Sequence, residues 1–141
     1  MTGKEYMHKL REVRRRIRLL EEQIERDTIL AAGVGAIRYD KERVQTSPEA
    51  DRMADIVAKI CETQDKLKNE IITLQLLEED TIGLLVHLKE EHERVLTYHY
   101  LDGAEWSDVA KLMGYTEKYI YELKDKALDA LTEVLKKTEQ N

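Results

Sequence analysis

Residues 94–131 read RVLTYHYLDGAEWSDVAKLMGYTEKYIYELKDKALDAL, and the punctuation of this stretch decides the architecture. Arg94–Leu101 is a short amphipathic segment stopped by Asp102-Gly103. A second, from Trp106 to Met113, puts Trp106, Val109, Ala110 and Met113 on one helical face. Gly114 follows where a left-handed residue is needed to turn the chain sharply. Thr116 is placed to cap a third helix, whose buried face is Ile120, Leu123, Ala127, Leu128 and Leu131. Ala110 supplies the small side chain that a close helix approach requires. Two helices joined by a Gly-containing turn meet the geometric requirement of a helix-turn-helix. Tyr98, Tyr100 and Trp106 are expected in the core and rim of this module.

Upstream the period is that of a coiled coil. Leu10, Val13, Ile17, Leu20, Ile24 and Ala31 recur at alternating steps of three and four, with Asp27 breaking the seam. A helix from Thr2 to Ala32 would be about 45 Å long and cannot bury its stripe alone. Gly33 and Gly35 are expected to end it, since each costs a helix about 1 kcal/mol. A polar, mobile connection over residues 33–46 then leads to Ser47-Pro48-Glu49, which reads as a helix start. The second helix, from Pro48 to about His87, carries a stripe of Met53, Ile56, Ile60, Gln64, Leu67, Ile71, Leu74, Glu78, Ile82 and Leu85. That stripe has one irregular step near Ile60–Gln64. The two helices should fold back as an antiparallel hairpin. Leu76, Leu77, Leu84, Leu85 and Val86 are then left to cover the C-terminal module or another subunit.

Composition narrows the class. Charged residues make up 37% of the chain and there is one proline, a mix that favours long, solvated helices. No run approaches the roughly 18 apolar residues that span a bilayer, and the N-terminus lacks the pattern of a secretory signal. The single Cys61 permits no internal disulfide and fits a reducing compartment. A cytoplasmic protein is therefore expected. Net charge is −6, unevenly spread: residues 1–45 hold 11 Lys/Arg against 8 Asp/Glu, and residues 88–141 hold 8 against 12. That balance argues against simple adhesion to nucleic acid through overall charge. His87, His92 and His99 lack the i, i+4 spacing of a helical metal site. Gly33-Val34-Gly35 lacks the third glycine and the preceding strand of a nucleotide loop. No nucleophile–base arrangement is visible, so neither an enzyme, a cofactor, a metal nor a small-molecule substrate is expected.

From Arg94 to Leu131 the spacing of Tyr100, Gly103, Trp106, Val109-Ala110, Met113-Gly114, Thr116, Ile120, Leu123 and Ala127-Leu128 resembles the promoter-reading fourth region of sigma-70-type factors. With the coiled-coil hairpin before it, the chain resembles a family of small phage-encoded sigma-like transcriptional regulators. The resemblance implies a recognition helix in the major groove of double-stranded DNA. Its contacts fall on Thr116, Glu117, Lys118, Tyr119, Tyr121, Glu122, Lys124 and Lys126. It also implies host RNA polymerase as a second partner. Where the family carries arginines and a glutamine, this chain has Glu117, Tyr119, Tyr121 and Glu122. Only Lys118, Lys124 and Lys126 bring positive charge, so affinity from this helix alone should be weak and salt-sensitive. Either a homodimer doubles the contacts, or Arg11, Arg14, Arg15 and Arg18 of the first helix touch the DNA backbone, or the module grips protein instead. Tyr119 and Tyr121 either cover the helix surface or reach the groove.

The expectation is thus an all-α protein with a coiled-coil hairpin over 1–88 and a helix-turn-helix domain over 89–141. It would regulate transcription as a DNA-binding homodimer. The rival is a coiled-coil adaptor whose helix-turn-helix has lost its DNA-reading residues.

Overall fold

A computed structural model describes residues 1–40 and 48–140, the side chains of 36–40 excepted. All of its regular structure is helical: α1 (Gly3–Asp40), α2 (Pro48–Leu85), α3 (Glu90–Leu96), α4 (Trp106–Met113) and α5 (Glu117–Gln140). The chain after α3 continues as one π-helical turn, Thr97–Leu101, closed by the Asp102 N–H on the Thr97 carbonyl at 2.9 Å. No described helix is long and apolar enough to cross a membrane.

The contacts divide the chain into two compact units. One joins Met1–Val13 to everything from Leu74 onward; the other is Arg14–Thr73.

In Arg14–Thr73, α1 and α2 run antiparallel. Arg16 Nε meets Glu70 Oε1 at 3.3 Å, Lys59 Nζ lies 3.9 Å from Asp27 Oδ1, and Gly35 faces Met53. As one partner's number rises, the other's falls. The glycines expected to stop α1 do not. Val34 between them is 3% exposed and continues the heptad from Asp27. Burying a valine is worth about 1.5–3 kcal/mol, which offsets most of the roughly 1 kcal/mol per glycine. The helix therefore continues through residues assigned to the connection, up to Asp40. The remainder of that connection, and Ser47 as a helix cap, lie outside the described residues.

The expected stripe of α2 needs a second correction. Gln64 is exposed, and Ile71 and Ile82 are 39% and 53% exposed. The buried and half-buried line is instead Met53, Ile56, Ile60, Thr63, Leu67, Glu70, Leu74, Leu77, Thr81 and Leu84. This is an unbroken heptad with no irregular step. Among its polar members, the Thr63 hydroxyl donates to the Lys59 carbonyl at 2.9 Å, and Glu70 Oε1 pairs across the hairpin with Arg16 while the buried Glu70 Oε2 has no hydrogen-bond partner among the described residues. Asp27, 5% exposed, accepts two bonds from Gln23 Nε2 at 3.0 and 3.1 Å. Because polar residues hold some seam positions, choosing the nearest apolar residue misplaces the seam.

The other unit has one core, built from Tyr6, Met7 and Leu10 of α1, Leu85 of α2, Val95 and Leu96 of α3, Tyr100, Val109 and Ala110, and the inner face of α5. The first turns of α1 are integral to it. The Gly3 N–H donates to Thr132 Oγ1 at 2.8 Å, and a Cβ on Gly3 would collide with the Leu128 carbonyl oxygen. The Thr81 hydroxyl, fully buried, donates to the Leu77 carbonyl at 2.6 Å and meets the Tyr6 hydroxyl at 3.3 Å. Of the α2 residues left over in the sequence, Leu77, Leu84 and Leu85 join this core, while Leu76 and Val86 stay exposed.

Candidate nucleic-acid interface

The geometry begins at Gly114. Its φ of 73° and ψ of 31° are left-handed, a conformation in which a Cβ is strained. The Gly114 N–H reaches the Lys111 carbonyl at 3.3 Å and the Tyr115 N–H reaches that of Ala110 at 3.0 Å. This paired closure satisfies the last carbonyls of α4 and turns the chain at once. Three residues later α5 starts. The Tyr119 N–H donates to Thr116 Oγ1 at 3.2 Å, so Thr116 is the cap that its position suggested.

The angle between α4 and α5 is held by four side chains in one core: Val109 and Ile120 are fully buried, Leu123 is 3% exposed and Ala110 4%. The opposite face of α5 is open. Glu117, Lys118, Tyr121, Glu122 and Lys126 are all exposed, as is Tyr119, whose ring rests against Tyr115 at 4.6 Å between centroids. Tyr115 is in turn held by a hydrogen bond from its hydroxyl to Glu91, which raises the phenol's pKa. Lys124 is different. It is half-buried, with its ammonium 5.8 Å from the Trp106 ring centroid, 5.4 Å from that of Tyr121 and 3.2 Å from Asp125 Oδ1. Lys124 therefore braces the aromatic cluster and presents less charge outward than Lys118 or Lys126 does.

Beside this face lies a shallow depression lined by Arg11, His99, Glu105, Trp106, Ser107 and Tyr121, with Glu117 at its edge. Its floor is a stacked pair, His99 on Trp106, with centroids 3.7 Å apart and planes 15° from parallel. His99 Nδ1 lies 2.8 Å from the Ala104 carbonyl, so this nitrogen carries the hydrogen in the neutral ring. Burial lowers the His99 pKa, and Arg11 and Lys124 lower it further, against the Ala104 bond that raises it. Arg11 is thus brought to the α4–α5 surface. Arg14, Arg15 and Arg18 belong to the hairpin unit, where Arg15 and Arg18 are exposed and Arg14 half-buried.

Sequence reading missed two participants. Tyr115 carried no signal of its own, and its hydrogen bond to Glu91, 24 positions away, ties it to the surface. His99 carried no signal beyond its spacing from other histidines. Among the described residues no three His, Cys, Asp or Glu side chains gather as a metal site.

The fold and this surface define an all-α protein with one unit of two antiparallel helices and another in which two helices are joined by a tight turn, one of them with an open outward face. No family model, characterised protein or solved structure matches the chain.

Proposed function

We propose that this protein is a sigma-like transcription regulator of phage or prophage type that reads promoter DNA with α5 in the major groove. The observation that carries the reading is the pairing of a rigid turn with an open face. Gly114, Thr116 and the buried quartet of Val109, Ala110, Ile120 and Leu123 fix α5, and the face from Glu117 to Lys126 is left uncovered. Lys118, Lys126 and Arg11 would meet phosphates. Glu122 would accept from a cytosine amino group, and Tyr121 would pack on a thymine methyl or reach a phosphate. The same module would touch host RNA polymerase, and a homodimer would double the few cationic contacts that one copy offers.

A specific observation favours a second reading, the adaptor. Glu117, Glu122 and Asp125 lie among the exposed cations of α5, and Lys124 is occupied by Asp125 and two rings. Such a face suits a protein partner as well as a phosphate backbone.

Lys118→Ala combined with Tyr121→Ala tests the first reading, because both side chains are exposed and the core is untouched. Loss of a gel shift on target DNA and of reporter activation, with the helical circular dichroism retained, is the expected outcome. An unchanged shift and reporter signal would count against DNA reading by this face, and no shift by the unaltered chain even at low salt would move the assignment to the adaptor.

A further inference from the structure

We propose that Glu91 and Tyr115 are positioning residues for base reading: together they hold the Tyr119 ring in one direction at the end of α5 that enters the groove. The inference rests on the DNA-reading proposal and names how one of its contacts is set. Tyr119 is the third residue of α5, and the first residues of a recognition helix are those that meet base edges. Its ring lies 4.6 Å from that of Tyr115 between centroids, with the planes at 57°. The Tyr115 hydroxyl in turn donates to the Glu91 carboxylate of α3. A carboxylate on one helix thus fixes one phenol, and that phenol backs the next.

The backbone does not need this chain of contacts. The Tyr115 N–H already closes the turn on the Ala110 carbonyl at 3.0 Å, and the Tyr119 N–H is taken by Thr116 Oγ1 at 3.2 Å. The angle of α5 is set by Val109, Ala110, Ile120 and Leu123, and neither tyrosine belongs to that core. Glu91, Tyr115 and Tyr119 are all exposed, so their contacts seal no apolar interior. An exposed bond between two side chains contributes little to stability. Its consequence is local: it restricts rotamers. Tyr119 is ordered before it meets DNA and gives up less freedom on binding. Ordering one such side chain in advance is worth about two- to tenfold in affinity.

The test compares changes matched in charge or in ring. Glu91→Ala and Glu91→Gln remove the same charge, but only Gln keeps an acceptor for the Tyr115 hydroxyl. Tyr115→Phe keeps the ring and loses the donor. The first readout is fluorine NMR of the full chain labelled with fluorotyrosine, without DNA. The Tyr119 signal, assigned by its loss in Tyr119→Phe, should move toward the free-tyrosine position in Glu91→Ala and Tyr115→Phe and stay in place in Glu91→Gln. The second is sequencing of the duplexes that the full chain retains from a random-sequence pool. Glu91→Ala and Tyr115→Phe should flatten the preference at one base pair by about two- to tenfold and leave the others, while Glu91→Gln selects as the unaltered chain does. Tyr119→Ala should flatten that same base pair, and adding Tyr115→Phe to it should change nothing more. Circular dichroism checks the fold of each variant. A Tyr119 signal indifferent to Tyr115→Phe, a Gln variant that behaves as the Ala variant, or a preference that survives Tyr115→Phe would each overturn the inference while DNA reading stands. A pool from which the unaltered chain selects nothing would overturn DNA reading itself, and this inference with it.

Discussion

The two ends of α1 are parts of one helix and are held in different ways. From Gly3 to Val13 the helix contributes Met7 and Leu10, both without solvent exposure, to a core closed by four other helical segments. From Arg14 to Val34 it faces a single partner helix, and Ile17, Leu20, Ile24 and Ala31 remain half-exposed. Only Asp27 and Val34 are buried there. A seam between two helices removes less apolar surface per residue than a multi-helix core, and its stability is correspondingly local. The order that α5 needs therefore comes from the C-terminal unit, not from the length of the coiled coil.

The sharpest way to break this contrast is to cut one leucine or isoleucine from each region. Leu131→Ala, at a site with no exposure, should cost about 3–5 kcal/mol in urea unfolding, and Ile24→Ala in the half-exposed seam about 1–2 kcal/mol. Equal costs would mean that the hairpin is as well sealed as the core. Glycines give a smaller contrast of opposite sign. Gly3→Ala forces a Cβ onto the Leu128 carbonyl and should destabilise by about 1–3 kcal/mol. Gly33→Ala meets open space in a helix interior and should stabilise by up to about 1 kcal/mol in the same assay.

The smallest expected effect is that of acid. Burial lowers the pKa of both His92 and His99 below the ordinary 6.5. Nearby Lys89 and Lys126 add to the shift at His92 against Glu91, and Arg11 and Lys124 add to it at His99 against the Ala104 bond. The unfolded chain then takes up protons first as pH falls. Stability from these two groups is complete above about 6.5 and is lost as pH drops through their lowered folded values. Thermal unfolding should occur at a lower temperature at pH 5.5 than at pH 7.5, and His99→Gln should reduce the difference. A transition temperature that rises on acidification would contradict the burial of these rings.

Much of the fold was legible in the residues because local signals agreed with tertiary need. Asp102-Gly103, Gly114 and Thr116 mark the ends of helices that the structure places at those positions. The failures came where packing overrode local preference. Gly33 and Gly35 look like a helix end until Val34 is seen to be buried, a long-range fact. Thr63, Glu70 and Thr81 look like surface residues until their bonds to Lys59, Arg16, Leu77 and Tyr6 are seen. The candidate interface was legible in its outline, the capped α5 and its outward positions, because helical period alone fixes which side chains share a face. The bracing of Lys124 and the approach of Arg11 to Trp106 were not, since both depend on how distant segments meet.

The central claim is that the open face of α5 meets duplex DNA. Its most direct test is a fluorescence-anisotropy titration of a labelled random-sequence duplex with the full chain as salt is raised from about 20 to about 200 mM. The account predicts binding at the lower salt that weakens steeply with added salt and is lost in the Lys118→Ala, Tyr121→Ala variant. No binding at the lowest salt, or binding that the variant retains in full, would contradict it.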